Sequence, residues 1–165
     1  MLNLTQSGTA TGTATGMATG PATLPAKSTP TPVKPPAVLV VEDDPSVFML
    51  ILKLLRHYGF TVIHASTGLE GLVMAQNLCP DIVVLDVELP GMSGLEICRQ
   101  LKSDPKTRPL PVVFCSGQGF LAGEAFDLGA AAFLVKPLDV VHLPACLGKI
   151  LFDRQQDTLN PGGII

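Results

Sequence analysis

The stretch VLVVEDDP at residues 38–45 decides the fold class of this chain. Its first four residues are β-branched or apolar, a composition typical of a strand buried on both faces of a parallel sheet. Asp44 and Pro45 then favour the start of a helix, with Asp44 as the N-cap and Pro45 at the first helical position. A buried strand that runs straight into a helix predicts a βα unit.

The same alternation repeats along the chain to residue 154. Further strands are predicted at residues 60–65, 81–85, 111–115 and 131–135, with helices at residues 45–58, 67–78, 93–103, 119–128 and 139–154. Either Ser66 or Thr67 caps the second helix. Pro144 indicates that the last regular helix begins near Leu143 or carries a kink. Five βα units in ~120 residues predict an α/β fold, a parallel sheet with helices on both faces.

Charge and composition exclude several classes of function. The 165 residues carry a net charge of −3, and nine of the 11 basic and all 14 acidic residues lie in 37–165, which leaves that part at −5. An acidic body argues against a protein that binds the phosphate backbone of nucleic acid. No apolar run approaches the ~20 residues of a membrane span. The four cysteines lack a metal-ligand spacing, which argues against zinc and favours free thiols.

Residues 1–36 are predicted to be a disordered tail rich in Thr, Gly, Ala and Pro. The segment has little apolar surface to offset the entropy of ordering. It lacks the basic start and apolar core of a secretory signal, and a flexible tether or a mis-assigned start codon explains it equally well. Residues 155–165 are predicted to be a second, short tail, so the ordered domain spans 37–154.

Polar residues stand at the carboxyl ends of the predicted strands, where sheets of this kind bind ligands. They are Glu42, Asp43, Asp44, Asp86, Ser116 and Lys136. Clustered carboxylates repel one another and require a cation, and hard oxygen ligands suit Mg²⁺. An ammonium and a hydroxyl can hold phosphoryl oxygens, and a carboxylate can itself accept a phosphoryl group. The residues therefore predict a Mg²⁺-dependent phosphoryl site whose acceptor is a protein carboxylate.

The sequence resembles the receiver domain of two-component response regulators from about Ala37 to Arg154. Four segments carry the resemblance, VLVVEDDP at 38–45, LDVELPGMSGLE at 85–96, VVFCSG at 112–117 and GAAAFLVKPLD at 129–139. The resemblance implies a doubly wound, flavodoxin-like (βα)5 three-layer sandwich with strand order 2-1-3-4-5. It also implies a single-domain regulator of the chemotaxis-receiver type, because only a short stretch follows Arg154.

The resemblance further implies a role for each site residue. Asp86 would accept the phosphoryl group from a histidine kinase or a histidine phosphotransfer protein. Mg²⁺ would be held by Asp43 directly, by Glu42 through water, by Asp86, and by the backbone carbonyl of Glu88.

Three further residues would complete the switch that the resemblance implies. Ser116 would hydrogen-bond the phosphoryl group, and Lys136 would pair with it, next to a cis peptide bond to Pro137. Movement of Ser116 on phosphorylation would open space for the ring of Phe133. Because Phe133 stands where the family often has Tyr, it is expected to favour the buried rotamer, so that the two states differ less sharply.

Several residues also have simpler interpretations. Asp44 could be a third metal ligand, but the N-cap is the favoured role. His57, His64 and His142 are isolated in sequence and none falls at the carboxyl end of a strand, which favours surface or packing roles. Cys115 could be a redox input, although strand alternation favours a core position.

Glu88 lies two residues past Asp86, where its side chain would border a phosphoryl group and alter its lifetime in a direction that the sequence does not fix. A solvent-facing Glu88 is the alternative.

Two helices are more apolar than a core-facing stripe requires. The first contains Phe48, Met49, Ile51 and Leu52, and the fourth contains Phe120, Leu121 and Phe126. Such faces favour protein contacts, and the resemblance implies a kinase or phosphotransfer partner at the first helix, while the fourth favours weak self-association. We therefore expect a cytoplasmic monomer or weak homodimer that acts on a downstream protein target, not on nucleic acid or a membrane.

Two other functions compete with a phosphorylation switch. One is a pseudo-receiver that binds partners without being phosphorylated. The other is an aspartyl-phosphate hydrolase, which would need a cap domain or an Asp-x-Asp pair, whereas Val87 and Glu88 follow Asp86. The favoured function is not an enzyme in the usual sense, because it catalyses only its own phosphorylation and dephosphorylation.

Overall fold

The computed structural model of the protein describes residues 34–159. Strands and helices alternate in this part of the chain as β1 (Ala37–Val41), α1 (Pro45–His57), β2 (Thr61–Ala65), α2 (Gly68–Leu78), β3 (Ile82–Leu85), α3 (Gly94–Ser103), β4 (Val112–Ser116), α4 (Ala122–Asp127), β5 (Ala132–Val135) and α5 (Leu143–Leu159). Short 3₁₀ turns at Gly119–Leu121 and Leu138–His142 lead into α4 and α5. The predicted alternation of five strands and five helices is confirmed for these residues.

The strands form one parallel sheet in the order β2-β1-β3-β4-β5, as expected. Val41, the last residue of β1, pairs with Ala65 on one side and with Leu85 on the other. All carboxyl ends therefore meet at one edge of the sheet. The strand order reverses beside β1, so the residues that follow β1 and β3 lie at the position where such sheets bind ligands.

Alternating side chains of the strands divide the core into two layers. One layer joins Leu39, Leu85 and Phe114 to buried residues of α2, α3 and α4. The other joins Val40 and Val84 to buried residues of α1 and α5. Because β3 and β4 are buried along their whole length, they read in the sequence as continuous apolar runs.

Local side chains fix the helix starts. Asp44 Oδ1 accepts the N–H groups of Ser46 at 2.7 Å and Val47 at 3.1 Å, and Pro45 is the first residue of α1. Thr67, rather than Ser66, caps α2 through its side-chain oxygen. The N-cap role of Asp44 is thus confirmed.

The last helix differs from its predicted bounds. Its regular part begins at Leu143, which is one of the two possibilities that Pro144 indicated. Proline is tolerated in the first turn of a helix because the N–H groups there have no partner within the helix. Its end at Arg154 was wrong, since α5 continues to Leu159. The predicted tail at 1–36 lies outside the described residues, except for residues 34–36. The part of the chain from 34 to 159 contains no helix long and apolar enough to cross a membrane.

Candidate functional site

Three carboxylates meet where β1 and β3 end. Glu42 and Asp43 follow β1, Asp86 follows β3, and one oxygen of each lies within 4.8 Å of the others. The register of Val41 with Leu85 brings these segments side by side. Glu42 and Asp86 are buried, whereas Asp43 is exposed. Such a set of hard oxygen donors, open to solvent on one side, suits Mg²⁺, which keeps several of its waters.

Lys136 bridges two of these carboxylates. Its Nζ lies 2.6 Å from Glu42 Oε2 and 2.7 Å from Asp86 Oδ2. Burial alone would lower the pKa of Lys136, but the hydrogen bonds that it donates to Asp86 and Glu42, together with their negative charges, outweigh burial and raise it. Burial raises the pKa of Glu42 more than Lys136 lowers it. The ammonium therefore stays charged and offsets repulsion between two buried acids.

Asp86 is held on its other side by backbone groups. The Glu88 N–H donates to Asp86 Oδ1 at 3.3 Å, and the Asp86 N–H donates to the Val41 carbonyl at 3.1 Å. The loop after β3 folds back onto this residue through a bond of 2.9 Å from the Gly94 N–H to the Val87 carbonyl. A Cβ at Gly94 would lie only 1.9 Å from the Asp86 carbonyl oxygen, so this approach requires glycine.

Ser116 is the last residue of β4 and is fully buried. Its Oγ accepts the Gln118 N–H at 3.3 Å, and its carbonyl accepts the Lys136 N–H at 3.0 Å. The peptide bond between Lys136 and Pro137 is cis, as expected. Ser116 and Lys136 thus share the edge of the sheet at which Asp86 lies.

Phe133 lies farther from this edge, within β5. It pairs in register with Phe114, and the two rings stack with centroids 5.8 Å apart and an interplanar angle of 21°. Phe133 is half-buried against the core layer that α3 and α4 cover. The residue predicted to turn during switching therefore rests on the core in this structure.

Glu88 is exposed, and it has a partner that the sequence interpretation missed. Gln118 Nε2 donates to Glu88 Oε1 at 2.6 Å. The two residues occupy equivalent places, since each lies two positions beyond the polar residue at the end of its strand, Asp86 or Ser116. That matching offset on neighbouring strands is the signal that could have identified the pair.

Two interpretations of residues near the site can now be compared with the structure. His64 precedes the last residue of β2, its ring stacks on Phe48 as a packing role requires, and its ring nitrogen also contacts the Glu42 carbonyl. Cys115 packs in the core layer with Val113 and Leu147, as strand alternation indicated. Burial raises the pKa of its thiol to about 12, which disfavours the reactive thiolate that a redox input needs.

Comparison with known proteins decides the family. A model of the response regulator receiver domain matches residues 38–147. The chain belongs to the response regulator receiver family. The receiver domain resembles the DNA-binding dual master transcriptional regulator RpaA of Synechocystis, with 33% identity over 118 residues, 70% of this chain and 49% of that protein. It also resembles the response regulator PleD of Caulobacter vibrioides, with 43% identity over 110 residues, 64% of this chain and 24% of that protein.

The solved structures agree with this membership. A response regulator receiver domain protein from Clostridium thermocellum superposes with a TM-score of 0.67 at 29% identity, over 73% of this chain and 98% of that one. The receiver domain described here spans about half, or less, of the curated relatives RpaA and PleD. Aspartate phosphorylation and Mg²⁺ binding through acidic residues are typical of the family.

Proposed function

We propose that this chain is a phosphorylation switch in which Asp86 accepts a phosphoryl group from a phosphohistidine donor. The donor is a histidine kinase or a histidine phosphotransfer protein. The observation that carries the proposal is the bridge from Lys136 to both Glu42 and Asp86. A buried cation between an acceptor carboxylate and a second acid is the arrangement that can offset the charge of an incoming phosphoryl group.

Each residue has a defined part in the transfer. An oxygen of Asp86 attacks phosphorus, the phosphorus–nitrogen bond of phosphohistidine breaks, and the imidazole leaves with the electron pair. Lys136 remains as the fixed ammonium beside the acceptor. The hydroxyl of Ser116 donates a hydrogen bond to a phosphoryl oxygen. The departing imidazole nitrogen takes up a proton from solvent, so this chain need supply no acid for the leaving group.

The acidic cluster would hold Mg²⁺ through Asp43 and Asp86, through Glu42 by way of water, and through the backbone carbonyl of Glu88. When bound, the ion supplies positive charge opposite the phosphoryl oxygens, as hard divalent cations do in phosphoryl transfer. The structural support for this assignment is the donor set itself, three carboxylates whose oxygens lie within 4.8 Å of one another.

The output of the switch would be a changed protein-binding surface. Movement of Ser116 toward the phosphoryl group would be coupled to Phe133, and nearby apolar side chains would form part of the partner surface. Phe120 is 82% exposed and Leu138 is 81% exposed. Together with the net charge of −3, these exposed side chains favour a protein target over nucleic acid and a monomer or weak homodimer. A cytoplasmic location, which is usual for the family, completes the proposal.

The proposal is tested by incubating the full chain with Mg²⁺ and acetyl phosphate and measuring intact mass. We expect a gain of one phosphoryl group, which is lost in Asp86→Asn and absent when EDTA removes the metal. Asp153→Asn is the matched control, because this exposed aspartate pairs with Lys149 on α5, away from the site. We expect this control to gain one phosphoryl group to the same extent as the wild type.

Failure of the wild type to be modified, by acetyl phosphate or by a phosphorylated histidine phosphotransfer protein, would favour the pseudo-receiver. Modification that persists in Asp86→Asn would assign the acceptor to another residue. Steady release of phosphate from a small-molecule ester at many turnovers would instead favour the hydrolase.

A further inference from the structure

The backbone of Glu42 is held by β2 on both sides. The Glu42 N–H donates to the Ala65 carbonyl at 3.1 Å, which continues the pairing of β1 with β2. β2 ends at Ala65, and the Ser66 N–H that follows donates to Glu70 Oε2 at 2.8 Å. The Glu42 carbonyl is bonded instead by a side chain, with His64 Nε2 at 2.9 Å.

The imidazole of His64 is fixed by packing. Its ring stacks on Phe48 with centroids 3.6 Å apart and an interplanar angle of 11°. Phe48 lies in α1, one turn after Asp44, and its N–H donates to the Asp44 carbonyl at 2.9 Å. Since a carbonyl oxygen can only accept, His64 Nε2 must carry the hydrogen of this bond. The ring is thus a rigid donor placed between β2 and α1.

The consequence of this bond falls on Asp43. The Glu42 carbonyl and the Asp43 N–H belong to one planar peptide unit, so fixing the carbonyl fixes the direction in which the Asp43 backbone continues. Lys136 already holds the side chains of Glu42 and Asp86. The Asp43 carboxylate is exposed, and its placement depends on its backbone.

We propose that His64 is a positioning residue for the metal site, acting through the Glu42 carbonyl to aim the Asp43 carboxylate at the ion. The inference rests on the proposed function, because it assumes that the acidic cluster holds Mg²⁺. Hydrogen bonds to groups behind metal ligands orient those ligands and commonly change metal affinity by a factor of ten or more. A bond that acts through the backbone should have a smaller effect.

The test is calorimetric titration of the full chain with Mg²⁺. His64→Phe keeps a flat ring against Phe48 but removes the donor, and we expect Mg²⁺ to bind about 3- to 10-fold more weakly. His64→Gln keeps an amide N–H near the position of Nε2, and its affinity should return to within about twofold of the wild type. His57→Phe, at an exposed position in α1, is the matched control and should bind as the wild type does.

Wild-type-like Mg²⁺ affinity in His64→Phe, or equal weakening in His64→Phe and His64→Gln, would overturn the inference while leaving the proposed function intact. A wild type that binds no Mg²⁺ would overturn both. A second measurement needs no variant. Nitrogen-15 spectra of the wild-type imidazole should show the Nε2–H tautomer, and the Nδ1–H tautomer would refute the donor role of His64.

Discussion

Gln118 Nε2 lies 2.6 Å from Glu88 Oε1, so one amide joins the loop after β4 to the loop after β3. The backbone N–H of Gln118 also donates to Ser116 Oγ at 3.3 Å. A single residue thus contacts the hydroxyl proposed to bind the phosphoryl group and the carboxylate that borders the acceptor loop. In the proposed function, this bond would keep the negative charge of Glu88 beside the path of an incoming phosphoryl donor.

Glu88→Gln should therefore speed phosphorylation of Asp86 by acetyl phosphate, which is an anion. Removing one unit charge at about 7 Å in water-like surroundings changes such a rate by about threefold. The gain should shrink as salt is added, because salt screens exposed charges. Stopped-flow or quenched mass measurements give the rate. Glu124→Gln is the control of equal charge on α4, and a rate in Glu88→Gln no faster than in this control would contradict the prediction.

Lys136→Met should destabilise the metal-free protein by about 3 kcal/mol at pH 7, because it leaves two buried carboxylates without their cation. Urea unfolding followed by circular dichroism measures the loss. Lys149→Met, which removes an exposed lysine paired with Asp153, should unfold at the wild-type urea concentration.

The pH dependence of Lys136→Met has a definite sign. Without the ammonium, the pKa of Glu42 should rise further, since burial already raises it. A carboxyl group whose folded-state pKa is raised contributes stability below its unfolded-state pKa, and that contribution is lost as the pH rises. The difference in the free energy of unfolding between Lys136→Met and the wild type should therefore become smaller as the pH falls from 7 to 5. A gap that is constant over this range would refute the electrostatic explanation.

Gly94→Ala should lower stability by about 1–3 kcal/mol and slow phosphorylation, because its Cβ would collide with the Asp86 carbonyl and displace the acceptor backbone. Gly148→Ala is the matched control, since a Cβ at this position in α5 meets no atom within 4 Å. Alanine in a helix interior should raise stability there by about 0.5–1 kcal/mol. Thermal unfolding and the acetyl phosphate reaction test both variants, and equal stability changes in the two would contradict the prediction.

Cys115 should make the protein less stable in alkali. Burial raises the pKa of its thiol from 9.0 to about 12, so the folded state keeps a proton that the unfolded chain releases. The resulting stability is complete below pH 9 and is lost as the pH rises toward 12, by about 1.4 kcal/mol per pH unit. In Cys115→Ala this dependence of the free energy of unfolding on pH should disappear. The cavity left by the smaller side chain should lower stability equally at every pH. Urea unfolding at pH 8 and pH 10 compares the slopes, and parallel slopes would refute the assignment.

Most of the fold could be predicted because its signals are local. Asp44 and Pro45 mark the start of α1 through one side chain and one ring, and buried strands read as apolar runs. The end of α5 was missed because the apolar periodicity fades before Leu159, while the helix continues through exposed, mostly polar residues, and the sequence has no proline or glycine between Arg154 and Pro161. Apolar periodicity arises from packing against the core, and the exposed last turns of α5 do not pack against it.

The site likewise contains residues that the sequence predicts and a contact that it does not. Glu42, Asp86 and Lys136 follow strands, so the topology alone predicts that they share one edge of the sheet. The contact of His64 could not be predicted, because its partner is a backbone carbonyl 22 residues away and no residue type marks such an acceptor. Its formation depends on where the strand pairing ends, which is a property of the folded sheet.

The ion pairs of Lys136 also determine how much negative charge of the acidic cluster is left for a bound cation to neutralise. Three carboxylates and one ammonium give these four side chains a formal net charge of −2. One divalent cation cancels that charge, whereas Na⁺ or K⁺ leaves a negative remainder and a trivalent lanthanide leaves a positive one. The ammonium of Lys136, which need not touch the ion, therefore sets the formal charge that a bound cation would balance.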